Sequence, residues 1–396
     1  MRIKMRILYY TWFENSTEDM AQTLVLLGHE LVKCNIPFQD YETDEVFARQ
    51  LSEVLKKYAC SAMFSFNFFP VIAKTAEKYQ IKYISWIYDC PHWTLYSPAA
   101  KSEYNYIFVF DRVQYLNLQS LGILHLYHFP LAVNTRKICE VLGKPQPEYE
   151  EEGEQTDVSF VGSLYEHNRY DKIHYLPEYL KGYLEGVMQA QQLVYGYNFV
   201  SELLTDDVIK RMEACLGMHM PDAYAVSERE LYAAALNEKI TSQERISFLN
   251  SLSKSFRLTI YTASPCSLVP GAQAGGTVDY NQQMPGVFRR SKINLNMTLR
   301  SIQSGIPLRA LDIMGAGGFL LSNYQQELAE QFEDGKDLVL YAGKEELLDK
   351  TRYYLSHERE RREIAYRGFL KVQKLFSYEI RVKQMFEFVQ EEKGMK

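Results

Sequence analysis

About the first 130 residues of this chain alternate short apolar runs with amphipathic stretches, and this alternation is the feature that most constrains the fold. Short apolar runs are typical of buried strands, and the stretches between them repeat their apolar residues at helical spacing. Gly28 and Gly122 stand where a glycine commonly ends a helix. The pattern predicts βαβ units around a parallel sheet, which is a Rossmann-like half. The predicted strands are 6–11, 30–33, 62–66, 83–87, 106–110 and 124–128, and the predicted helices are 17–27, 44–58, 70–79 and 113–121.

A proline-containing acidic segment, KPQPEYEEEGEQTD at 144–157, interrupts this pattern. Such a composition cannot supply a hydrophobic core, so it is typical of a linker. We therefore predict an N-terminal Rossmann-like domain over 1–145 and an acidic linker over 146–157. A C-terminal Rossmann-like domain follows over 158–375, and a final helix over 376–396 is predicted to cross back to the N-terminal domain.

The α/β rhythm resumes in the second half, around a long helical insertion. A block at about 171–252 has helical character without a convincing strand, and its role is not evident from the sequence. The segment 344–392 is predicted to be nearly continuous helix. Both halves together predict an α/β protein with a helical elaboration in the second domain. The predicted strands of the second half are 158–161, 257–261, 293–297, 318–321 and 338–341.

Length and charge exclude several classes of protein. At roughly 150 residues per domain, 396 residues indicate two or three domains. The 44 basic and 50 acidic residues give a net charge of −6, which disfavours nucleic acid as a partner. No segment approaches the roughly 18 apolar residues of a membrane helix, so we expect a cytoplasmic protein and leave peripheral membrane contact open. Six scattered cysteines indicate neither a disulfide framework nor a zinc site.

One window of this acidic protein is locally basic. Residues 280–311 contain no Asp or Glu but carry five cationic side chains. Arginine is suited to bidentate phosphate contacts, so the window predicts an anion site. For Arg289 and Arg290 a solvated helix face is the preferred explanation. The cations are Arg289, Arg290, Lys292, Arg300 and Arg309.

Arg309 stands in the segment SGIPLRALD at 304–312. Pro307 is suited to the first position of a helix, and Gly305 lets a ligand approach the backbone. Arg309 and Asp312 are three residues apart and therefore on one helix face. A helix N-terminus, a cation and a hydroxyl-accepting carboxylate together fit a nucleoside diphosphate. An ordinary ion pair within the helix explains the same spacing.

A glycine-rich turn, MGAGGFLL at 314–321, follows directly. Glycines at such a place also serve tight packing between a helix and a strand, so the turn alone is weak evidence for a ligand. The turn is not G-x-G-x-x-G, and no Walker A sequence occurs in the chain. Dinucleotide-dependent reductases and P-loop nucleotidases thereby lose their main support.

Several of these segments resemble a known family. The segment RRSKINLNMTLRSIQSGIPLRALDIMGAGGFLL at 289–321, the downstream YYL and ERERREIAYRG, and WIYDCP at 86–91 are similar to CgeB-like (spore-maturation type) glycosyltransferases of GT-B fold. Their C-terminal domain is of the glycosyl transferases group 1 kind. The resemblance covers most of the chain and is strongest from about 279 to 388.

The resemblance implies two Rossmann-like domains facing across a cleft. The C-terminal domain would hold a nucleotide-sugar donor, and an acceptor would enter from the N-terminal one. Asp312 occupies the place of an acid that binds the donor ribose, and Gly317 lies in the small-residue turn after it. Many retaining members carry Glu eight positions before that acid, where this chain has Ser304. Retention or inversion, and the contacts to the donor sugar, stay open for that reason.

Further donor candidates lie in loops after predicted strands. Gly162 and Ser163 form a turn that admits a diphosphate, and Arg169 is a cation that can neutralise it, although Asp171 is an alternative partner for Arg169. Tyr261 is a candidate for contacting the base. The remaining donor candidates are Asn296, Thr298, Ser304 and Gly305.

Sugar transfer needs stabilisation of the departing diphosphate, by a metal ion or by cations and helix dipoles. The chain contains no Asp-x-Asp pair for a metal ion. We therefore expect a metal-independent reaction without a cofactor, in which the nucleotide sugar is a substrate and a glycan, protein or surface-bound molecule is the acceptor.

An inverting reaction also needs a base for the acceptor hydroxyl. Asp89 and His92 follow a predicted strand of the first half and are the catalytic candidates, with Asp111 as a weaker third choice. A turn residue before Pro91 and a surface histidine are equally good explanations of the first two. Two other functions remain open: a nucleotide-sugar-binding scaffold without turnover, and an epimerase that acts on the nucleotide sugar itself.

Overall fold

A computed structural model describes residues 4–12, 14–146, 156–172, 175–216, 218 and 220–391. The chain divides into two compact units. The first comprises Met1–Ala132, Met220–Val226 and Leu375–Lys396, and the second comprises Val133–His219 and Ser227–Lys374. Most of the predicted acidic linker, residues 147–155, lies outside the described residues. The domain boundaries drawn from the sequence stay predictions.

Strands and helices alternate through both units. The strands are β1 (Arg6–Tyr10), β2 (Glu30–Cys34), β3 (Ala62–Phe66), β4 (Lys82–Ile87), β5 (Asn105–Val109), β6 (Leu126–His128), β7 (Thr156–Val161), β8 (Leu258–Tyr261), β9 (Gln273–Gly276), β10 (Ser291–Asn296), β11 (Leu320–Asn323) and β12 (Val339–Tyr341). The helices are α1 (Thr17–Leu26), α2 (Glu45–Tyr58), α3 (Pro70–Tyr79), α4 (Arg112–Gln119), α5 (Thr135–Leu142), α6 (Glu178–Gln192), α7 (Val200–Leu203), α8 (Asp206–Leu216), α9 (Glu228–Ser253), α10 (Met284–Arg290), α11 (Leu308–Gly315), α12 (Gln326–Gln331), α13 (Lys344–Ser356), α14 (Glu358–Leu375) and α15 (Tyr378–Glu391).

The first unit is built on a parallel sheet of order β2-β1-β3-β4-β5-β6. Strands β3 and β5 are buried along their whole length, as expected for central strands that are covered on both faces. The strand order reverses between β1 and β3. In open α/β sheets, ligands bind outside the carboxyl ends of the strands at such a reversal.

The second unit is built on a parallel sheet of order β12-β11-β10-β7-β8-β9. Its first strand, β7, lies in the centre and pairs with β8 on one side and β10 on the other. The order therefore reverses between β7 and β10, which is the doubly wound arrangement. We expect the ligand site of this unit at the carboxyl ends of these two strands.

Helix α9 joins the helical region of the second unit to its sheet. Ser227 begins it with a capping box completed by Glu230, which satisfies two backbone donors of the first turn. Its first half packs against α6, α7 and α8 through an apolar cluster that includes Leu236. Its second half packs on the sheet, where Phe248 and Leu249 belong to the core around Val158. This helix thereby brings side chains to the sheet edge.

The sequence prediction of an α/β fold is confirmed, and most element bounds differ from prediction by one or two residues. Strand β9 was not predicted because its sequence, QAGG, lacks the β-branched and aromatic residues that favour strands. The predicted near-continuous helix at 344–392 is three helices, α13 to α15. Within the described ranges, none of the helices combines the length and apolar character that crossing a bilayer requires.

Candidate functional site

The carboxyl ends of β7 and β10 hold several of the predicted donor residues. Gly162 and Ser163 follow β7 directly, and the Gly162 amide donates to the carbonyl of Tyr261 at the end of β8 (3.1 Å). Asn296 is the last residue of β10, and Thr298 follows it in the next loop. The structure therefore brings these five residues to one edge of the second sheet.

Asn296 and Thr298 form a buried polar network with the end of β11. The side-chain amide of Asn296 donates to Thr298 Oγ1 (2.9 Å) and to Ser322 Oγ (2.9 Å). The Thr298 amide donates to Asn323 Oδ1 (2.7 Å). Buried polar groups that satisfy one another in this way hold the strand ends rigid, which supports neighbouring ligand-binding groups.

Helix α11 carries the predicted Arg309 and Asp312 pair. Arg309 Nη1 lies 3.1 Å from Asp312 Oδ2, and the Tyr280 hydroxyl donates to Asp312 Oδ1 (2.9 Å). Asp312 is 4% exposed, and the Arg309 guanidinium lies over the ring of Phe288. Pro307 occupies the N-cap position rather than the first helical position. The buried carboxylate is thus held in one orientation by two donors.

Ser304 and Gly305 lie in the loop before α11 and are buried. Ser304 Oγ donates to Glu327 Oε1 (2.8 Å), and the Glu327 amide donates to the Ser304 carbonyl (3.0 Å). Both side chains are almost fully buried. Glu327 was missed by sequence analysis because nothing local distinguishes it on α12 from its neighbours.

Arg169, in the loop after β7, pairs with a carboxylate that the sequence analysis did not name. Arg169 Nε donates to Glu238 Oε1 (3.0 Å), and its Nη2 lies 2.9 Å from the same atom. Asp171, the alternative partner, instead lies 2.7 Å from Lys239 Nζ. Because Glu238 lies 69 residues away on α9, the sequence alone could not identify this pair.

Arg245, also on α9, is a second residue that sequence analysis missed. Its Nη1 donates to the carbonyl of Ser163 (2.6 Å), and its Nη2 donates to the carbonyl of Met297. Its guanidinium lies 5.0 Å from the ring centre of Tyr165. Burial holds the pKa of this guanidinium below its usual value. Arg245 therefore places a cation between the carboxyl ends of β7 and β10.

Gly317 and Tyr261 have evident packing roles. Gly317 has a φ of +81°, and a Cβ there would lie 2.7 Å from Pro145 Cβ. It stands before β11, at the amino ends of the strands, so the structure does not bring it to the edge that holds Gly162. The ring of Tyr261 lies against Gly275, where a Cβ would come within 2.4 Å of it.

The five basic residues of the 280–311 window do not lie together in the structure. Arg289 donates to the carbonyls of Ala316 and Gly143, and Lys292 pairs with Asp157 (3.1 Å). Arg289 and Lys292 lie at the amino ends of the strands, where they line a cavity of about 280 Å³. Arg300 pairs with Glu244. Because β10 runs from 291 to 296, cations before it and after it lie at opposite edges of the sheet.

The predicted catalytic residues lie in the first unit, after β4. Asn67, which follows β3, donates to Asp89 Oδ2 (2.7 Å) and accepts from the amides of Tyr88 (2.9 Å) and Asp89 (3.3 Å). Asn67 has a φ of +60°, a left-handed conformation that asparagine tolerates. The Asp89 side chain is 62% exposed. Its carboxylate is therefore oriented by an amide and presented to solvent.

His92 is buried behind Asp89 rather than exposed. Its Nε2 accepts from the Phe68 amide (3.0 Å) and lies 2.7 Å from Thr94 Oγ1. Nε2 also lies 3.0 Å from the Phe68 carbonyl, and Nδ1 lies 4.0 Å from Asp89 Oδ2. Asp111, the third candidate, caps α4 by accepting from the Gln114 amide (2.8 Å). Of the three, Asp89 has the geometry of a base.

Burial lowers the pKa of His92, an effect that the nearby Asp89 opposes. A histidine with a lowered folded-state pKa binds its proton more weakly when folded. We therefore expect the first unit to lose stability as pH falls below the unfolded pKa of about 6.5, by at most about 1.4 kcal/mol per pH unit, and His92→Gln to remove this dependence.

Tryptophan fluorescence can follow this unfolding because all three tryptophans, Trp12, Trp86 and Trp93, belong to the first unit. The free energy of unfolding in urea should be compared between about pH 7.5 and about pH 5.5. His167→Gln is the control, since His167 is 88% exposed. Equal pH dependence in wild type and His92→Gln would contradict the expectation.

Part of the chain matches a known family model. Residues 243–387 match a family model described as "Glycosyl transferase-like". No curated protein matches the chain in sequence. This glycosyl transferase-like region contains Arg245, Arg309, Asp312 and Glu327, which lie at or lead into the carboxyl edge of the second sheet.

Solved structures show the fold. The chain is similar to a sucrose-phosphate synthase from Thermosynechococcus elongatus, with 7% identity and a TM-score of 0.58 over 99% of this chain and 100% of that chain. A UDP-forming α,α-trehalose-phosphate synthase from Burkholderia xenovorans has 10% identity and a TM-score of 0.53, over 98% and 99%. Anabaena HepE in complex with UDP has 8% identity and a TM-score of 0.50, over 100% of both chains. The prediction of a GT-B fold is confirmed.

Proposed function

We propose that the protein is a cytoplasmic, CgeB-like glycosyltransferase that moves a sugar from a nucleoside-diphosphate donor to a glycan, protein or surface-bound acceptor, without a metal ion or cofactor. The observation that carries the proposal is the buried carboxylate of Asp312, which lies on α11, the helix after β10. Arg309 and Tyr280 hold this carboxylate. A carboxylate accepts about four hydrogen bonds in total, so it can add ribose hydroxyls to its protein donors. One structural neighbour is a UDP-forming synthase and another was solved in complex with UDP, which makes UDP-sugars the first donors to test.

In such a transfer the bond between the anomeric carbon and the diphosphate breaks, and a bond from that carbon to an acceptor oxygen forms. The diphosphate leaves with the electron pair, so the enzyme must stabilise developing negative charge. The acceptor hydroxyl loses its proton to a base. The reaction therefore needs residues that bind the donor diphosphate, residues that contact the transferred sugar, and a base for the acceptor.

We assign the donor-sugar contact to Glu327. A glutamate at position 304 would carry its carboxylate oxygens about 2.4 Å beyond the atom that corresponds to Ser304 Oγ. Glu327 Oε1 lies 2.8 Å from that Oγ. The Glu327 carboxylate is thus in hydrogen-bond contact with the side chain at position 304, and we propose that it replaces the acid that many retaining relatives carry there.

We assign the acceptor base to Asp89. Its exposed carboxylate is oriented by Asn67, while His92 turns its accepting nitrogen toward the Phe68 backbone. An Asp carboxylate within reach of a hydroxyl can accept its proton as the new bond forms. In a retaining reaction this base is not required, so the effect of Asp89→Asn on turnover distinguishes the two stereochemical outcomes.

Thermal stabilisation by a panel of UDP-, GDP-, dTDP- and CMP-sugars tests the proposal. A ligand at 100 times its dissociation constant stabilises the folded protein by about 2.7 kcal/mol, which shifts the melting curve visibly. We expect the UDP-, GDP- or dTDP-sugars, and not the CMP-sugars, which carry a single phosphate, to stabilise wild type but not an Arg309→Ala/Asp312→Ala variant. The exposed pair of Asp349 and Arg352 on α13, also three residues apart, provides the matched double-alanine control.

Donor hydrolysis then separates the functions. Release of free sugar, and its acceleration by acceptors, identifies a transferase. Binding without turnover identifies a scaffold, and conversion of the donor sugar without its release identifies an epimerase. Failure of every nucleotide sugar to stabilise the protein would overturn the proposal.

A further inference from the structure

We propose that Arg245, and not Arg169, supplies the positive charge that binds the diphosphate of the donor. This inference rests on the proposed function and assigns one of its central contacts to a residue of α9. The loop after β7 still provides the turn, but its own arginine does not carry the charge.

Arg245 lies where the strand order of the second sheet reverses. Its guanidinium bridges two backbone carbonyls, that of Ser163 after β7 and that of Met297 after β10. A Cβ added to Gly162 would lie 3.6 Å from Arg245 Nη1, so the cation faces the glycine turn itself. Since β7 and β10 are the strands between which the order reverses, Arg245 stands at the place where doubly wound sheets bind nucleotides.

The carboxylates around the site pair with other cations. Arg169 is held by the Glu238 carboxylate on two of its nitrogens, and Arg309 is paired with Asp312. Within the part of the chain that the structure describes, Arg245 has no carboxylate within 4.0 Å. Its neighbour Glu244 is turned to Arg300 instead. Arg245 therefore forms no ion pair with a carboxylate among the described residues.

The Arg245 guanidinium lies between aromatic rings. Its carbon is 5.0 Å from the ring centre of Tyr165 and 5.4 Å from that of Phe160, and its Nε is buried without a hydrogen-bond partner. Arg309 adds a like charge nearby, and Glu244, which pairs with Arg300, opposes it. A desolvated cation beside another cation is unfavourable until an anion compensates it, so this arrangement favours a ligand with negative charge.

Arg245 also ties two strand ends together, so an experiment must separate binding from structure. A pair of ligands that differ only in the diphosphate does so. We choose UDP with uridine, GDP with guanosine, and dTDP with thymidine, and measure dissociation constants by calorimetry for whichever pair binds wild type. A structural defect weakens nucleoside and nucleoside diphosphate alike, whereas loss of a diphosphate contact weakens only the second.

We expect Arg245→Gln to weaken the affinity for the nucleoside diphosphate by about 10- to 100-fold, because a hydrogen bond to a charged group is lost. The affinity for the nucleoside should stay within about twofold of wild type. Arg245→Lys, which keeps the charge but loses the planar fork, should fall between the two. It also keeps the test decisive if the glutamine variant does not fold. Arg257→Gln is the matched control, since Arg257 precedes β8 at the opposite edge of the sheet.

Arg169→Gln is measured in parallel. If it loses the diphosphate preference while Arg245→Gln and Arg245→Lys retain it, the inference is wrong and the loop arginine carries the charge. Equal affinity of the Arg245 variants and wild type for the diphosphate overturns it as well. If wild type binds none of the six ligands, the proposed function fails first and this inference fails with it.

Discussion

Asp312→Ala is expected to lower kcat/KM for donor turnover by 100-fold or more and to destabilise the second unit by about 3 kcal/mol. Asp312 is 4% exposed and pairs with Arg309, whose side chain is 28% exposed. Removing one partner of a buried ion pair leaves the other charge desolvated, and the partial exposure of Arg309 places the cost at the lower end of the usual range. The nucleotide also loses a charged acceptor for its ribose.

Asp312→Asn separates these two effects. It retains an oxygen that accepts from the Tyr280 hydroxyl and leaves the packing almost unchanged, but it removes the charge opposite Arg309. Chemical denaturation followed by circular dichroism measures stability, and donor hydrolysis measures turnover. Asp349→Ala, from the exposed pair on α13, should change neither. Full turnover in Asp312→Ala would contradict the placement of the donor.

Glu327→Gln is expected to reduce kcat by about 100- to 1000-fold while nucleoside diphosphate affinity stays near that of wild type. The reason is that the proposed contact of Glu327 is with the transferred sugar, where charge develops in the transition state, and not with the nucleotide. Glutamine keeps the size of the side chain and an acceptor for Ser304 Oγ, so packing is preserved. Single-turnover donor hydrolysis and nucleotide calorimetry measure the two quantities.

An exchange of the two side chains provides the sharper test. Ser304→Glu/Glu327→Ser returns the acid to position 304 and moves the hydroxyl to 327, so we expect it to recover at least tenfold over Glu327→Gln. Glu330→Gln, an exposed acid on the same helix, is the matched control. Wild-type kcat in Glu327→Gln would show that the carboxylate serves only the loop before α11.

Local sequence patterns predicted most of the fold. Strands such as β3 and helices such as α3 have the predicted bounds, because the apolar repeat of each element is contained in ten or so adjacent residues. Strand β9 was not predicted from the sequence, because an exposed edge strand needs no apolar repeat. The positions of the Arg309 and Asp312 pair were predictable for the same local reason, since three residues along a helix make one face.

The partners of those residues were not predictable. Ser163 and Arg245 are 82 residues apart, and Ser304 and Glu327 are 23 apart. Glu238 takes up Arg169 from the same long helix that carries Arg245. Residues so far apart along the chain produce no periodic pattern in the sequence, because their contacts depend on how α9 and α12 pack on the sheet.

The sequence by itself therefore determined the α/β alternation, the doubly wound halves and the acid on α11, since each depends on interactions between near neighbours along the chain. Only the tertiary structure decided which cation is paired and which stands without a carboxylate at the reversal between β7 and β10. The physical reason is that the charge of a site depends on all side chains that meet there, and a sheet edge collects residues from the whole length of the unit.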